Sequence, residues 1–331
     1  MESSPKIDVH THYLTPAYVQ ALKDAGQFPG PDGLPFTPTW NPDDHLAFME
    51  KNNISKSILS CSQRHLGREV TREVNVYAAD LKLKYPSKFG FFASLPLPDI
   101  AGSLLEIDYA LDELNADGFV LLSNFHGIYM GDPQLSPIYA KLQERRATVF
   151  VHPTAPCIAR TCNHDVRSSA PLADAYMIPI MEYLFDSTRT FVDLLLSGTA
   201  AAHPDVNFIV PHCGSALPSL LDRMVVSSSW DSDGFVSTRG PIQPITASFV
   251  KELFAKQFYF DLAGVAMANQ IHHMLRWVGT ERFLYGSDVP WTPWAGAEKR
   301  LKEIEEELPK LFGEQEIRDI CYGNALKLLA M

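Results

Sequence analysis

The sequence lacks the features that mark membrane-spanning and secreted proteins. Its 331 residues contain no uninterrupted apolar run of the roughly 18 residues that a transmembrane helix requires. The N-terminus, MESSPKIDVHTH, has no apolar core of the kind found in secretory signal peptides. Only five cysteines occur, an odd and scattered set that favours reduced thiols over a disulfide framework. We therefore expect a cytoplasmic protein that does not span a membrane.

Clusters of positive charge are also missing. Lys and Arg number 28 against 39 Asp and Glu, so the formal net charge is −11. The one basic-looking stretch, residues 299–302, is followed at once by glutamates, which is typical of a solvated helix face. This balance argues against nucleic acid as a partner. Hydrophobic residues make up 46% of the chain, enough for a large core.

Short apolar runs alternate with helical stretches along the whole chain. We predict strands at residues 7–12, 57–61, 90–95, 118–122, 148–152, 207–212, 258–261 and 283–286. Helices are predicted near 43–52, 68–84, 101–115, 135–146, 187–202, 217–229, 267–278, 296–308 and 314–330. Such strands pair in parallel through right-handed crossovers, and eight of them close a barrel. The pattern predicts an α/β protein with a (β/α)8 TIM barrel. The alternative is a doubly wound open sheet, but the Gly-rich phosphate-binding turn typical of that fold does not follow the first predicted strand.

Two long segments interrupt this alternation. Residues 13–42 are rich in Pro and Gly and follow the first predicted strand, and residues 153–186 follow the fifth. Long loops after barrel strands lie at the face that carries the chemistry. We therefore expect both segments to be lid-like insertions in a single domain that spans residues 1–331.

The motif Asp8-Val9-His10-Thr11-His12 carries the strongest chemical signal. Side chains alternate between the two faces of a strand, so His10 and His12 point the same way, about 7 Å apart. At the carboxyl end of a barrel strand, two neutral imidazoles can converge on one metal ion. The alternative is a pair of buried core histidines. The spacing favours the metal site.

Three other predicted strands end in residues that bind metals or transfer protons. The fifth strand ends in His152, the sixth in His212, and Asp288 follows the eighth. Carboxyl ends of parallel barrel strands meet at one face, where the chemistry of such barrels is mounted. Core packing alone rarely delivers this set of side chains to one rim, so we expect an active site there.

Read together, the motifs IDVHTH, FVHP, VPHCG, YGSDVPW and GNALKLL resemble the amidohydrolase superfamily, and within it the decarboxylases related to aminocarboxymuconate-semialdehyde decarboxylase. The resemblance spans nearly the whole chain. It implies that one divalent metal is bound by His10, His12, His152 and Asp288, with His212 beside the site as a proton-transfer group. The predicted fourth and fifth strands contain no lysine that could be carboxylated, which supports a mononuclear site.

Within this group the sequence looks most similar to the salicylate-type decarboxylases. Resorcylate-type members carry a glutamate where His10 stands and another soon after the sixth-strand histidine, where residues 214–218 read GSALP. The resemblance implies non-oxidative decarboxylation of a small ortho-hydroxybenzoate, with 6-methylsalicylate as the expected substrate and m-cresol and CO2 as products. It implies zinc, with manganese as a second choice, and no organic cofactor. A homodimer is also implied, with Arg223 near its interface.

The expected chemistry assigns roles to further residues. Protonation of the ring carbon that bears the carboxylate precedes loss of CO2, and its donor needs a pKa near the working pH. We expect Asp288 to donate this proton and His212 to polarise or orient the substrate, although the sequence leaves the two open. Arg64 is a candidate for the substrate carboxylate. Aromatic candidates for an apolar pocket around the methyl group are Phe36, Trp40 and Trp291.

The same residues are compatible with two other functions. A mononuclear hydrolase of a lactone, ester or amide would use the metal to activate water and Asp288 to shuttle its proton. A protein that binds metal without catalysis would fill the coordination sphere and have no cleft. Pocket shape and product analysis separate these classes.

Overall fold

Eight parallel strands form one sheet in the computed structural model, which describes residues 4–27, 29–62, 67–157, 172, 176–229 and 245–331. Each strand pairs with the one that follows it along the chain. Their bounds are β1 Lys6–His12, β2 Ile54–Ser60, β3 Phe89–Ser94, β4 Gly118–Leu122, β5 Thr148–His152, β6 Asn207–Val210, β7 Phe258–Asp261 and β8 Phe283–Leu284.

The sheet closes on itself because β1 also bonds to the segment that begins at the end of β8. The backbone N–H of Val9 donates to the carbonyl of Tyr285 at 3.1 Å. The N–H of His12 donates to the carbonyl of Val289 at 2.7 Å. Closure removes the exposed edges of the sheet. The predicted (β/α)8 barrel is confirmed.

Helices connect the strands. They are α1 Pro16–Asp24, α2 Pro42–Lys51, α3 Arg68–Lys84, α4 Ile100–Asp112, α5 Ser136–Glu144, α6 Ile178–Leu196, α7 Thr199–Ala202, α8 Leu217–Ser228, α9 Ala247–Gln257, α10 Gln270–Met274, α11 Trp294–Leu311, α12 Glu314–Arg318 and α13 Asn324–Leu328. One π-helical turn, Asp319–Gly323, joins the last two, and a short hairpin pairs Asn124–Phe125 with Ile128–Tyr129. In the described part of the chain, no helix is long and apolar enough to cross a membrane.

Several elements differ from the predicted ones. Helix α1 lies inside the first lid-like insertion, where no helix was predicted, and its first turn is capped by the Thr15 hydroxyl. Helix α6 begins at Ile178, so the second insertion ends earlier than residue 186. Helix α9 was not predicted at all, and α10 is shorter than the predicted helix at 267–278.

The core has two parts that lie on the two sides of the barrel wall. The larger fills the layer between strands and helices, where residues such as Leu59, Phe91 and Phe208 are fully buried. The smaller gathers side chains from seven strands, among them Phe92 and Phe150, around Ala325 of α13. The C-terminal helical region therefore packs on the barrel. The candidate active-site residues lie at the carboxyl ends of the strands.

Candidate active site

Three imidazoles and one carboxylate meet where the strands end. Their nearest ligand atoms all lie within 4.8 Å of one another in the group His10, His12, His152 and Asp288, called here the metal cluster. The three imidazoles are buried, with at most 5% of each residue exposed. The Nε2 atom of His12 lies 3.1 Å from Oδ1 of Asp288, and Nε2 of His10 lies 3.4 Å from the same oxygen.

The strands bring these residues together by their local geometry. The pairing of β1 with β2 shifts register between Asp8 and Thr11, an irregularity of the kind that re-aims side chains beside active sites. The ring centroids of His10 and His12 end 5.2 Å apart. Asp288 has a left-handed φ of 62°, a conformation uncommon for a non-glycine residue. Its N–H donates to the His10 carbonyl at 2.7 Å, which fixes the turn against β1.

Side-chain oxygens of neighbouring residues contact the Nδ1 atoms of the two β1 imidazoles, His10 and His12. The Nδ1 atom of His10 lies 2.9 Å from Oδ2 of Asp261, the last residue of β7. The Nδ1 atom of His12 lies 3.0 Å from the hydroxyl of Ser60 and 3.1 Å from that of Ser62. Such partners fix the tautomer and the orientation of an imidazole that binds metal. The role of Asp261 was not predicted from the sequence, although its carboxylate comes at the end of an apolar strand, as several of the predicted site residues do.

Burial and the carboxylates shift the pKa values of the cluster in opposite directions. Burial lowers the pKa of His12 and of His152, which favours the neutral imidazole that binds metal. Burial acts in the same sense on His10, but Asp261 and Asp288 outweigh it and raise its pKa to about 10. Burial acts to raise the pKa of Asp288, yet contacts from His10, His12 and His212 hold it well below its ordinary value. Asp288 is therefore a carboxylate.

This set of donors fits a divalent metal ion. Among the described residues, Nε2 of His10 and Nδ1 of His152 are buried without a hydrogen-bond partner. Buried polar atoms are rarely left unpaired, and an absent ion is one ordinary explanation for such atoms. Three imidazole nitrogens with one carboxylate oxygen suit zinc and also manganese.

His212 stands beside the cluster. It follows β6 with a left-handed φ of 53°, and its N–H donates to Oδ1 of Asp261 at 3.0 Å. Its Nε2 atom lies 4.0 Å from Oδ2 of Asp288, whereas His12 contacts the other oxygen, Oδ1. Its Nδ1 atom is buried without a hydrogen-bond partner in the described chain. Asp261 therefore supports both His10 and His212.

A cavity of about 400 Å³ opens onto these groups. His152, His212 and Asp288 line it, and most of the remaining wall is apolar. The wall comes from both insertions, from α6, and from the loops after β7 and β8. Its other residues are Pro31, Leu34, Phe36, Met177, Pro179, Ile180, Tyr183, Leu184, Gly264, Val265, Gln270, Trp291, Thr292 and Pro293. Such a concave, largely apolar pocket with a few converging polar groups is typical of a small-molecule site.

The predicted substrate contacts fall into three groups. Phe36 and Trp291 line the cavity. Trp40 is not among its lining residues in the described chain; its indole N–H donates to Nδ1 of His45 at 3.1 Å, and its ring packs near Tyr13. Arg64 lies outside the described residues. The exposed Arg223 is on α8, and no contact described here tests its expected place at an interface.

The barrel and its cluster define a metal-binding (β/α)8 protein, and comparison with known proteins makes this class specific. A family model described as amidohydrolase matches residues 7–331. The chain therefore belongs to the amidohydrolase family. It is 34% identical to the decarboxylase yanB of Aspergillus niger, over 98% of this chain and 87% of that protein. It is 31% identical to the 6-methylsalicylic acid decarboxylase of Penicillium expansum, over 98% and 95% of the two chains.

Solved structures agree with the barrel. A crystal structure of an amidohydrolase II superposes with a TM-score of 0.83 at 32% identity, over 98% of this chain and all of that chain. A dihydroxybenzoic acid decarboxylase of Polaromonas, solved with manganese and 2-nitroresorcinol, superposes with a TM-score of 0.77 over 99% and 97% of the two chains. Its identity is only 19%, so this second likeness bears on the fold alone. The similar sequences place the chain among the decarboxylases of its family.

Proposed function

We propose that the protein decarboxylates a small ortho-hydroxybenzoate, and that its substrate is 6-methylsalicylate, which would yield m-cresol and CO2. One observation carries this proposal: residues of the metal cluster line a cavity whose walls are mostly apolar. The 31% identity to a 6-methylsalicylic acid decarboxylase over nearly the whole chain supports the choice of substrate.

The chemistry of the cavity suits the two sides of such a substrate. The phenol oxygen and the carboxylate of 6-methylsalicylate are adjacent on the ring, so both can face the cluster. The methyl group and the ring edge need an apolar surface, which Leu34, Phe36 and Trp291 supply. Among the cavity's described lining residues there is no Lys or Arg. Among the described residues, the groups that can face the substrate's charge are therefore those of the cluster and His212, and Arg64 stays the proposed contact for the carboxylate.

His10, His12, His152 and Asp288 would hold the metal. When bound, a divalent ion neutralises the negative charge of the phenolate and the carboxylate and fixes the ring. The chain's own groups would then move the proton. Asp288 would act first as a general base that takes the phenol proton and then as the general acid that delivers it to the carbon that bears the carboxylate.

His212 would assist this proton transfer by orienting or polarising the substrate. Its Nε2 atom is 4.0 Å from Asp288 Oδ2, and its ring lines the cavity. Once the ring carbon is protonated, the C–C bond breaks, CO2 leaves, and its bonding electrons restore the aromatic ring as a phenolate, which takes a proton from water to give m-cresol. In D2O the m-cresol formed should carry deuterium at the carbon between its hydroxyl and methyl groups. Lack of deuterium at that carbon would contradict protonation there.

The metal is proposed to be zinc, with manganese as the alternative. Three imidazoles and a carboxylate suit zinc, whereas the Polaromonas decarboxylase structure contains manganese. Elemental analysis of protein purified without added metal distinguishes them. A homodimer in the cytoplasm completes the proposal, and light scattering of the purified protein tests its oligomeric state.

A substrate comparison tests the proposed reaction. We expect the metal-loaded protein to convert 6-methylsalicylate to m-cresol and CO2, and to lose this activity when a chelator removes the metal. The control substrate is 4-hydroxybenzoate, which has no hydroxyl beside its carboxylate and should not react. No product from 6-methylsalicylate, in protein with one bound metal per chain, would contradict the proposed substrate. Turnover of a lactone or ester by that same protein would favour the hydrolase.

A further inference from the structure

The insertion after β1 contains a buried carboxylate that accepts hydrogen bonds from donors on two other segments. Asp32 is 9% exposed. Its Oδ2 atom accepts from the hydroxyl of Thr154 at 3.0 Å, the N–H of Ala155 at 2.9 Å and the hydroxyl of Tyr183 at 2.8 Å. These residues are 122 to 151 positions away in sequence. The contacts are therefore tertiary, and they are not part of a local turn.

The backbone of Asp32 is shaped to make these contacts. Its φ is 51°, in the left-handed region that non-glycine residues seldom adopt. Its N–H donates to the side-chain oxygen of Gln27 at 3.0 Å, inside the same insertion. A buried carboxylate is costly unless hydrogen bonds compensate for the lost water. Three donors on one oxygen provide that compensation and give the insertion a fixed point of attachment.

Each segment joined by Asp32 reaches the cavity. Pro31, Leu34 and Phe36 flank Asp32 and form one wall. Tyr183 lies in another wall, on α6, and its ring centroid is 6.0 Å from that of His152. Thr154 and Ala155 lie two and three residues after His152, the last residue of β5. One carboxylate thus connects two cavity walls to the segment that carries a residue of the metal cluster.

We propose that Asp32 is a positioning residue, which holds the wall formed by residues 29–37 and α6 against the end of β5 and thereby sets the affinity for the aromatic acid. The second half of this statement rests on the proposed function. Asp32 itself is not among the residues that line the cavity in the described chain, so it acts through Tyr183 and through its neighbours in the insertion.

Three variants and one control test the proposal. Asp32→Ala removes the acceptor, Asp32→Asn keeps one acceptor oxygen at that place, and Tyr183→Phe removes one donor while keeping the ring. Asp24→Asn is the matched control, because Asp24 is an exposed carboxylate in the same insertion. Metal content, steady-state kinetics with 6-methylsalicylate and backbone hydrogen exchange are measured on each full-length, metal-loaded protein.

We expect Asp32→Ala to raise KM about tenfold, because it weakens binding that the ground and transition states share, and to leave the metal content at its wild-type value. The value of kcat should change by no more than roughly twofold, because wall contacts are made equally in the ground and transition states. Asp32→Asn should restore part of the affinity. Amides in residues 29–37 and at Ala155 should exchange faster in Asp32→Ala and at the wild-type rate in Asp24→Asn.

Other outcomes overturn the proposal. Unchanged exchange rates in Asp32→Ala show that the wall does not depend on this carboxylate. Faster exchange with unchanged KM shows that the wall does not set affinity, and loss of metal shows that Asp32 supports His152 instead. If Asp32→Ala fails to fold, Asp32→Asn and Tyr183→Phe carry the same test. If wild-type protein does not turn over 6-methylsalicylate, the proposed function fails by itself, and hydrogen exchange still decides whether Asp32 holds the wall.

Discussion

At the scale of single residues, the cluster differs from an ordinary group of buried histidines in how its nitrogens are used. His12 has one nitrogen held by the hydroxyls of Ser60 and Ser62 and the other directed at Asp288. His10 has one nitrogen held by Asp261 and the other without a hydrogen-bond partner in the described chain. A hydrogen bond to one ring nitrogen fixes the orientation of the imidazole and leaves the other nitrogen directed at the metal site, as metal ligands require.

The first prediction concerns His12 itself. Replacing it by alanine removes one of four donors, so His12→Ala should lose the metal and with it all measurable decarboxylation, while the barrel stays folded. Elemental analysis and circular dichroism check the two halves of this statement. The control is His272→Ala, because His272 is exposed on α10 and outside the cluster. Wild-type metal content in His12→Ala would refute the assigned ligand set.

The second prediction concerns Asp261, which contacts His10 and the N–H of His212. Asp261→Asn keeps the size of the side chain but loses the negative charge that raises the pKa of His10. Metal affinity should fall roughly 10- to 100-fold, as it does when partners of metal-bound histidines are changed. Titration against a chelator of known affinity measures it. An unchanged affinity would mean that Asp261 only supports the fold.

The third prediction separates His212 from the metal ligands. His212→Ala should keep one metal per chain, because its nearest nitrogen lies 4.0 Å from Asp288 and it is not a member of the cluster. Turnover should fall about 10²- to 10⁴-fold, as on loss of a group that assists proton transfer. Metal analysis and single-turnover kinetics check both statements. Loss of metal in this variant would instead make His212 a ligand.

The strand pattern predicts five chemical side chains at one rim, because each lies at or just after the end of an apolar strand: His10, His12, His152, His212 and Asp288. The resemblance to the amidohydrolase superfamily then separates the four residues of the cluster from His212. Asp261 also ends such a strand, yet its role depends on two residues from other strands, His10 and His212. Nothing local distinguishes its carboxylate from that of a helix cap or turn. Trp40 was predicted to line the pocket, but its ring packs near Tyr13 and His45. The sequence does not distinguish an aromatic residue of an insertion that packs inward from one that lines a cavity.

At the scale of elements, the approach of β8 to β1 leaves no room for a side chain at Gly286. A Cβ added there would lie 2.8 Å from Cβ of His10, closer than such atoms ever approach. The absence of a side chain at this position therefore lets the last strand close the barrel beside the metal cluster.

The fourth prediction follows from this contact. Gly286→Ala should push His10 out of place, so the variant should lose metal affinity and melt at a lower temperature than the wild type. The control is Gly296→Ala on α11, where the nearest atom to an added Cβ, in Thr292, is 3.5 Å away and helix propensity favours alanine. Differential scanning fluorimetry with and without metal compares the two. Equal behaviour of the variants would contradict the steric argument.

Helix prediction succeeded where the contrast between apolar and polar faces is clear. Helix α3 has the predicted bounds, 68–84. Helix α6 begins nine residues before its predicted start at 187, because its first turns expose Ile180, Met181 and Phe185 and so lack a polar face. Without that contrast, the sequence shows no period that distinguishes a helix from a loop. The same exposed turns form part of the cavity wall through Ile180.

At the scale of the whole molecule, the alternation of apolar runs and helices was enough to predict the barrel, because parallel strands joined by crossovers have few ways to close. The insertions were harder to predict. Their length and composition indicate irregular segments, but the attachment of residues 29–37 depends on Asp32 and donors more than 120 positions away. Contacts of such separation leave no periodic trace in a sequence.

The central claim is that one metal ion, held by the cluster, is required for decarboxylation. The most direct test is to remove the metal completely and then titrate zinc or manganese back while following m-cresol formation from 6-methylsalicylate. The account predicts no product from the metal-free protein, and activity that rises in proportion to added metal and levels off at one ion per chain. Product formation by fully metal-free protein, or a wild-type response to metal from His12→Ala, would contradict it.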